Sequence, residues 1–393
     1  MKMKRILILF GLLAFFFVGC KKEQNTDTFT VTLESNGGMK IAPIRVRSGE
    51  TIPQKKLFPS PIIADGGTFD GWYADEELQE KFDFNTKVAS DLTLYAKWLY
   101  KTYQVSFVMN GGPEKNPVEV REGATVELDR PSMEGKVFVG WYKDAAFTQL
   151  YNVSAKVITD INLYARWVDP SPMEWFAIDG LGTLVGCAPP DGTTTVVIPE
   201  GVKEIPAWFV LATGLNEPGK PGFPTGKNIK EFILPQSLER IGMGAFKFAG
   251  IESIIIPPKV KELIPVVFEG CNQLKQFAFA PYSTFERLVS DGSNQGVISS
   301  SSLEYLTFPP SLQYVGRYTL SGCSALKTVT FERRESPVTL YDNLPGGGIW
   351  LFEGYFPQSI RMPDEVKASF LIGIRAVMQD YEYNRWVDIV EGY

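Results

Sequence analysis

Between about residues 193 and 335 one short pattern returns every 22 or 23 residues, and it decides what this part of the chain can be. Ile229 to Leu238 reads IKEFILPQSL, and Ile251 opens IESIIIPPKV 22 residues later. Leu274 opens LKQFAF a further 23 on, and Leu303 (LEYLTFPPSL) and Leu326 (LKTVTF) are again 23 apart. Thr195 to Val202, TVVIPEGV, is an earlier copy. Each copy offers two apolar side chains on one side of a short strand, too few to be buried alone. Stacking the copies makes one continuous core, so the pattern predicts a solenoid. The proline that closes most of these strands falls where a ladder donor is dispensable. Beyond it come a second apolar pair and a short segment such as Gly244-Ala245-Phe246 or Leu320-Ser321-Gly322-Cys323. Trp208-Phe209 and Thr319-Leu320 replace Ala-Phe, which predicts irregular coils there, and Pro281 to Ser302 reads as an insertion.

The first half carries a different duplication. Gly71-Trp72-Tyr73 returns as Gly140-Trp141-Tyr142, and Leu92 to Trp98 (LTLYAKW) returns as Ile161 to Trp167 (INLYARW), both 69 residues later. Asn36-Gly37-Gly38 and Val46 to Thr51 return 74 later, so copy one holds five extra residues within Phe58 to Gly67. Alternation in Phe29, Val31 and Leu33 predicts half-buried strands, and Asn-Gly-Gly suits a tight turn. The repeated Trp72, Trp98, Trp141 and Trp167 are expected in each module's small core rather than as sugar platforms. The acidic run Asp75, Glu76, Glu77, Glu80 and Asp83 survives in copy two only as Asp144, which favours a solvated turn over a calcium site.

With these motifs in order, twice, residues 28–98 and 103–168 resemble the Listeria–Bacteroides repeat, the B-repeat of internalin-type surface proteins. The resemblance implies a small β-grasp-like module serving as stalk or binding unit. The I-P-x-x-V…A-F-x-G-C form of the later copies resembles the BspA-type leucine-rich repeats of bacterial surface proteins. The tail resembles that family's cap: a last strand Ser359 to Pro363, then a helix from Asp364 with Val366, Phe370, Leu371, Ile374, Val377 and Met378 on one face. The expected fold class is therefore mainly β and multidomain. Two β-grasp-like modules at 28–98 and 103–168 precede a linker at 169–172 and a leucine-rich solenoid with a C-terminal capping helix at 173–393. A Pro-containing linker predicts that modules and solenoid unfold separately.

Met1 to Arg5 carries three cationic side chains before the apolar run Ile6 to Val18, too short to span a bilayer comfortably and followed by Gly19-Cys20. Phe17-Val18-Gly19-Cys20 resembles a bacterial lipobox, which implies a signal peptide at 1–19, lipidation of Cys20 and a tether at 20–27. Phe17 and Val18 depart from the usual residues, and the alternative is an ordinary leader with an unmodified cysteine. The expected location is the cell envelope, lipid-anchored at the outer membrane and exposed at the surface.

Little catalytic chemistry is available. The 393 residues contain no histidine, which removes Ser-His-Asp and Cys-His nucleophiles, HExxH zinc sites and histidine pH switches. Net charge is −6, against a nucleic-acid partner. Gly214 to Lys220 fits G-x-x-x-x-G-K, but Pro221 stands where a phosphate loop needs Ser or Thr. Glu200, Glu204, Glu231, Glu239 and Glu262 are scattered over repeats, with no sign of a paired-carboxylate glycosidase. Cys271 and Cys323 hold the same repeat position two coils apart, beyond disulfide reach, and are expected as buried small hydrophobes. No enzyme, metal or cofactor is expected.

A contact surface is the better prospect. The twelve outward strand positions run Thr195/Val197, Glu231/Ile233, Ser253/Ile255, Gln276/Ala278, Tyr305/Thr307 and Thr328/Thr330, and of these only Glu231 is charged. Such a strip is a candidate binding face, with Glu231, Ile233, Ser253, Ile255, Gln276, Tyr305 and Thr307 as candidate ligand-binding residues. The alternative is a strip covered by the 281–302 insertion. The expected function is a non-catalytic surface adhesion or binding lipoprotein. Its partner would be a protein on a host, in a matrix or on a neighbouring cell, with the membrane met only through the lipid anchor. The second reading is a carbohydrate-binding accessory of a surface nutrient-uptake system, with a glycan as ligand.

Overall fold

The structure is a computed structural model. It describes residues 27–53, 67–209, 229–290, 296–340, 352, 355–375 and 380–393, without the side chains of 380–382. The signal peptide, Cys20, the variable loop of copy one, the Gly214–Lys220 motif and Val377 and Met378 lie outside these residues. The chain divides into two compact units, one ending at Thr102 and the other beginning at Tyr103.

In the first unit, β1 (Thr28–Glu34), β2 (Ile44–Arg47), β3 (Thr68–Tyr73) and β4 (Leu92–Leu99) form a mixed sheet ordered β2-β1-β4-β3, with β1 and β4 parallel. Val31, Leu33, Leu94 and Ala96 alternate onto one side, where Trp72 packs fully buried. Trp98 is half-buried, its indole N–H donating to the Ser35 carbonyl at 2.9 Å, and Phe69 meets both indoles edge-on. The Asn36 amide donates to the Ala96 carbonyl at 2.9 Å, tying the Asn-Gly-Gly turn to the sheet. Asn36 and Gly37 both have positive φ there, as the turn requires. Asp75 accepts backbone N–H bonds from Gln79 and Glu80, which hold its carboxyl below the usual carboxylate range. Asp144 does the same with Thr148 and Gln149, so this acidic position builds a turn in both copies.

In the second unit, β5 (Thr102–Val108), β6 (Val118–Arg121), β7 (Val137–Tyr142) and β8 (Ile161–Val168) repeat this sheet in the order β6-β5-β8-β7, with β5 and β8 parallel. Trp141 is buried among Val105, Leu128 and Leu163, and the Trp167 indole donates to the Met109 carbonyl at 2.8 Å. A single helical turn at Met173–Trp175 and a hairpin of β9 (Phe176–Ile178) and β10 (Leu184–Cys187) lead into the solenoid.

The solenoid is two parallel ladders. One face stacks Thr195–Val197, Glu231–Ile233, Ser253–Ile256 and Gln276–Phe279, then Tyr305–Phe308, Thr328–Phe331 and Ser359–Met362. Two-residue strands beginning at Glu262, Arg287, Tyr314 and Thr339 stack in the second ladder. Inward residues such as Val196, Phe232, Ile254, Phe277, Leu306 and Val329 join one core with a third layer of Phe209, Phe246, Phe268 and Leu320. Three expectations change here. The described parts of Pro281 to Ser302 belong to the solenoid: Arg287–Leu288 takes its place in the second ladder, and Phe285, Val297 and Ile298 are buried in the core. Phe209 and Leu320 fill the interior as Phe246 does, so the substituted segments keep their packing. The cap is two helices, α1 (Asp364–Arg375) and α2 (Asp380–Ile389), and its last strand, Val390–Gly392, pairs parallel to Ser359–Met362. Val366, Phe370 and Ile374 of α1 and Trp386 of α2 close the core.

Candidate functional site

The outward strand face of the solenoid begins under a second sheet. In β8, Leu163 and Ala165 point into the module core, so Arg166 and Val168 point away from it. In β7, Phe138 and Trp141 enter the core while Val137 and Val139 face outward. That outer surface packs on the solenoid: Val139, Val197 and Ile233 form a buried cluster, with Val137, Val168 and Ile255 against it. Removing apolar surface from water on both sides supplies the attraction.

A charged pair sits within this apolar contact. Arg166 Nη1 and Nη2 each donate to a Glu231 carboxylate oxygen at 2.6 Å, and both side chains are largely buried. Ser253 Oγ donates to the same carboxylate at 3.2 Å, and Arg166 also donates to Tyr142 Oη at 3.3 Å. Burial acts to lower the Arg166 pKa, but the Glu231 carboxylate outweighs it and raises the value above that of an ordinary guanidinium. Gln276 Nε2 donates to the Thr148 carbonyl, and Asn152 Nδ2 donates to Glu332 Oε1 at 3.0 Å.

The candidate strip therefore divides. Glu231, Ile233, Ile255 and Gln276 engage module two, and Ser253 is bonded to the Glu231 carboxylate. The expectation of modules standing clear of the solenoid fails for module two, because its outer sheet face is apolar and charge-matched to the strip. The element that covers the strip's early coils is module two and not the 281–302 segment of the alternative reading, of which Arg287–Leu288 is a strand of the second ladder. Tyr305 and Thr307 lie further along the ladder. Tyr305 is 61% exposed, with Lys327 Nζ 5.8 Å from its ring centre and paired to Glu304 at 2.7 Å.

Between the module and the ladder lies a cavity of about 350 Å³. Its walls include Phe138, Val139, Leu150, Ile233, Ile255 and Phe279, with exposed Arg130 and Tyr282 among the lining residues. Sequence reasoning missed this site, because it exists only where two separately folded patterns meet. Among the described residues no group of three Cys, Asp or Glu converges in a way that could hold a metal ion.

Comparison with known families matches the Listeria–Bacteroides repeat domain to residues 29–97 and 103–166. The BspA type leucine rich repeat region, in six copies, matches residues 207–327 and 294–342. The chain carries two Listeria–Bacteroides repeat domains and a BspA-type leucine-rich repeat region. A "putative membrane protein" of Evansella cellulosilytica is 40% identical over 144 residues, which is 36% of this chain and 21% of that protein. Internalin H of Listeria monocytogenes is 29% identical over 163 residues, 40% of this chain and 28% of its own. The matched part of the chain thus spans less than a third of either relative's length. Among solved structures, the pneumococcal vaccine antigen PcpA aligns at 19% identity over 54% of this chain and 48% of its own, with a TM-score of 0.30. A leucine rich cell surface protein of Faecalibacterium prausnitzii aligns at 15% identity over 49% of this chain and 69% of its own, with a TM-score of 0.29. In the terms of these families, the second B-repeat docks on the opening coils of the BspA-type region, reaches the later ladder at Glu332 through Asn152, and leaves Tyr305 exposed.

Proposed function

We propose that the protein is a non-catalytic surface binding protein, anchored in the cell envelope through lipidated Cys20, whose later leucine-rich coils contact a protein partner. The observation that carries this reading is the open half of the strand ladder. Tyr305 stands exposed there beside half-buried Thr307, Thr328 and Thr330, and the next strand adds Ser359 and the exposed Arg361 at its outward positions. A contact surface poor in charge with one aromatic anchor fits the anatomy of protein interfaces. The match to Internalin H and to proteins named for membranes supports placement in the envelope.

An array of matrix proteins and glycans probed with the full chain tests the reading. A protein partner should be captured, and Tyr305→Ala should weaken it by about 2 kcal/mol or more while leaving the melting temperature nearly unchanged. Unchanged affinity would remove Tyr305 from the contact, and capture of glycans alone would overturn the protein-partner reading. The anchor is checked separately. An alkynyl fatty acid should label the wild type and not Cys20→Ala, and equal labelling of both would end the lipoprotein assignment.

A further inference from the structure

The cavity between the second B-repeat and the solenoid has features that the docking of two sheets does not need. Its volume of about 350 Å³ lies at the lower end of small-molecule sites, roughly 300–1,000 Å³. Its interior is apolar, formed by Phe138, Leu150, Ile233, Ile255 and Phe279. Its polar groups are unevenly matched. The Glu231 carboxylate is taken by Arg166, and Asp129 pairs with Lys115 at 2.7 Å. Arg130, also in the lining, has no carboxylate within ion-pairing distance among the described residues. Its guanidinium lies 5.5 Å from the Phe138 ring centre and gives one bond, to the Phe138 carbonyl at 2.5 Å. The apolar walls hold the Arg130 pKa below that of an ordinary guanidinium and Glu200 offsets this only in part, its two oxygens accepting the Gln236 and Ser237 backbone N–H groups. Tyr151 is a second unmatched group. It lines the cavity, is buried, and its hydroxyl has no hydrogen-bond partner, an arrangement that costs free energy unless something fills it.

We propose that this cavity is a binding site for a small amphipathic carboxylate. An apolar chain would occupy the space between the sheets, the carboxylate would meet Arg130, and an acceptor oxygen on the chain would meet the Tyr151 hydroxyl. Arg130 suits the anionic end because its planar fork binds carboxylates in two-point geometry. A cationic ligand would find the available carboxylates already committed. An apolar ligand alone would leave both Arg130 and Tyr151 as they are. The proposal is independent of the protein partner at Tyr305, which lies outside the cavity lining.

N-decanoylglycine carries the required apolar chain, amide carbonyl and terminal carboxylate, and it serves as the probe in calorimetric titration of the full chain. It should bind at least about tenfold more tightly than its neutral C-terminal methylamide, which lacks the ion pair. Decyltrimethylammonium should bind more weakly than either. In Arg130→Gln the preference for acid over methylamide should disappear. Tyr151→Phe gives a second readout, since it removes a hydroxyl that bonds nothing in the free protein. The variant should melt no lower than wild type yet bind the probe several-fold more weakly. Equal affinity for acid and amide in the wild type, or a preference that survives Arg130→Gln, would overturn the assignment. Absence of any binding would overturn it as well. None of these results depends on whether a protein partner is captured.

Discussion

Arg166 of the second B-repeat and Glu231 of the solenoid are joined by two parallel hydrogen bonds of 2.6 Å, in a contact otherwise formed by Val137, Val139, Val168, Val197, Ile233 and Ile255. A desolvated ion pair adds little net stability, because the Coulombic gain is set against the loss of hydration. What it adds is discrimination. An apolar sheet face can slide by one residue at small cost, whereas a guanidinium that misses its carboxylate is left buried and unpaired. The pair therefore favours one register of the two sheets, together with the bonds from Gln276 to Thr148 and from Asn152 to Glu332.

The first prediction follows from that asymmetry. Arg166→Ala and Glu231→Ala should each destabilise the second unit by about 3 kcal/mol, the lower end for a buried pair losing one partner, since both side chains keep some water contact. Arg166→Met with Glu231→Leu together should recover most of the loss. Urea denaturation of wild type, the two alanine variants and their double gives the coupling energy, and additive losses, with no recovery in the Met/Leu protein, would mean that the two residues do not act as a pair.

A second prediction concerns the linker. A chain starting at Pro172 keeps every coil of the solenoid but exposes Val197 and Ile233, which module two covers. Its melting transition should fall by several degrees, since about 1 kcal/mol corresponds to about 2–4 °C in a domain of this size. Replacing Ile233 by Ser in the truncated chain should then cost little. An unchanged transition would show that the two sheets touch without contributing to each other's stability.

Both repeat systems were legible in the sequence because periodicity is a local signal. A strand with inward Ile254 and Ile256, or an indole at Trp72 and again at Trp141, announces itself without knowledge of its neighbours. The docking of module two was present as well, but as a difference between copies. The outward positions Val137, Val139, Arg166 and Val168 correspond to Thr68, Asp70, Lys97 and Leu99 in copy one, so copy two turned its sheet's outer face apolar. The shared motifs, which identify the module, conceal that change. The coil at 281–302 was hidden for a different reason: its longer spacing breaks the 23-residue period, although Phe285, Leu288, Val297 and Ile298 still fill the core. The cavity had no local signature, because its walls come from two stretches, between Leu128 and Val153 and between Glu231 and Tyr282, that only the docking brings together.

The thiols supply a third prediction. Cys187, Cys271 and Cys323 are buried and free, and burial pushes each thiol up to about 12. Cys271 donates to the Phe246 carbonyl at 3.0 Å and Cys323 to the Ile298 carbonyl at 3.3 Å. Thiolate chemistry needs both deprotonation and access. In a Cys20→Ala background, Ellman's reagent should release almost no colour from the folded chain and three equivalents in guanidinium chloride. Fast labelling of the folded chain at neutral pH would contradict the buried assignment.

The last prediction concerns Glu332, where the third loop of module two meets the later ladder. Asn152 Nδ2 donates to its carboxylate at 3.0 Å. Burial raises its pKa above the ordinary glutamate value, and hydrogen bonds from Ser154 and Asn152 with the nearby Arg334 charge pull it back only in part. A carboxyl with a raised folded-state value takes up a proton more readily folded than unfolded. Its contribution to stability is therefore complete below the unfolded value and is lost as pH rises through the folded one. At neutral pH the folded protein carries a partly desolvated charge there. Glu332→Gln removes that charge, while the amide oxygen can still accept from Asn152. The variant should be more stable than wild type near pH 7, and the advantage should shrink toward zero by about pH 3, well below the unfolded glutamate value of about 4.3, where the carboxyl is protonated folded and unfolded. Comparing the two proteins at each pH cancels the titration of the other carboxylates. A gain equally large at both pH values would assign the effect to packing, and a loss near pH 7 would mean that the charge stabilises this corner of the interface.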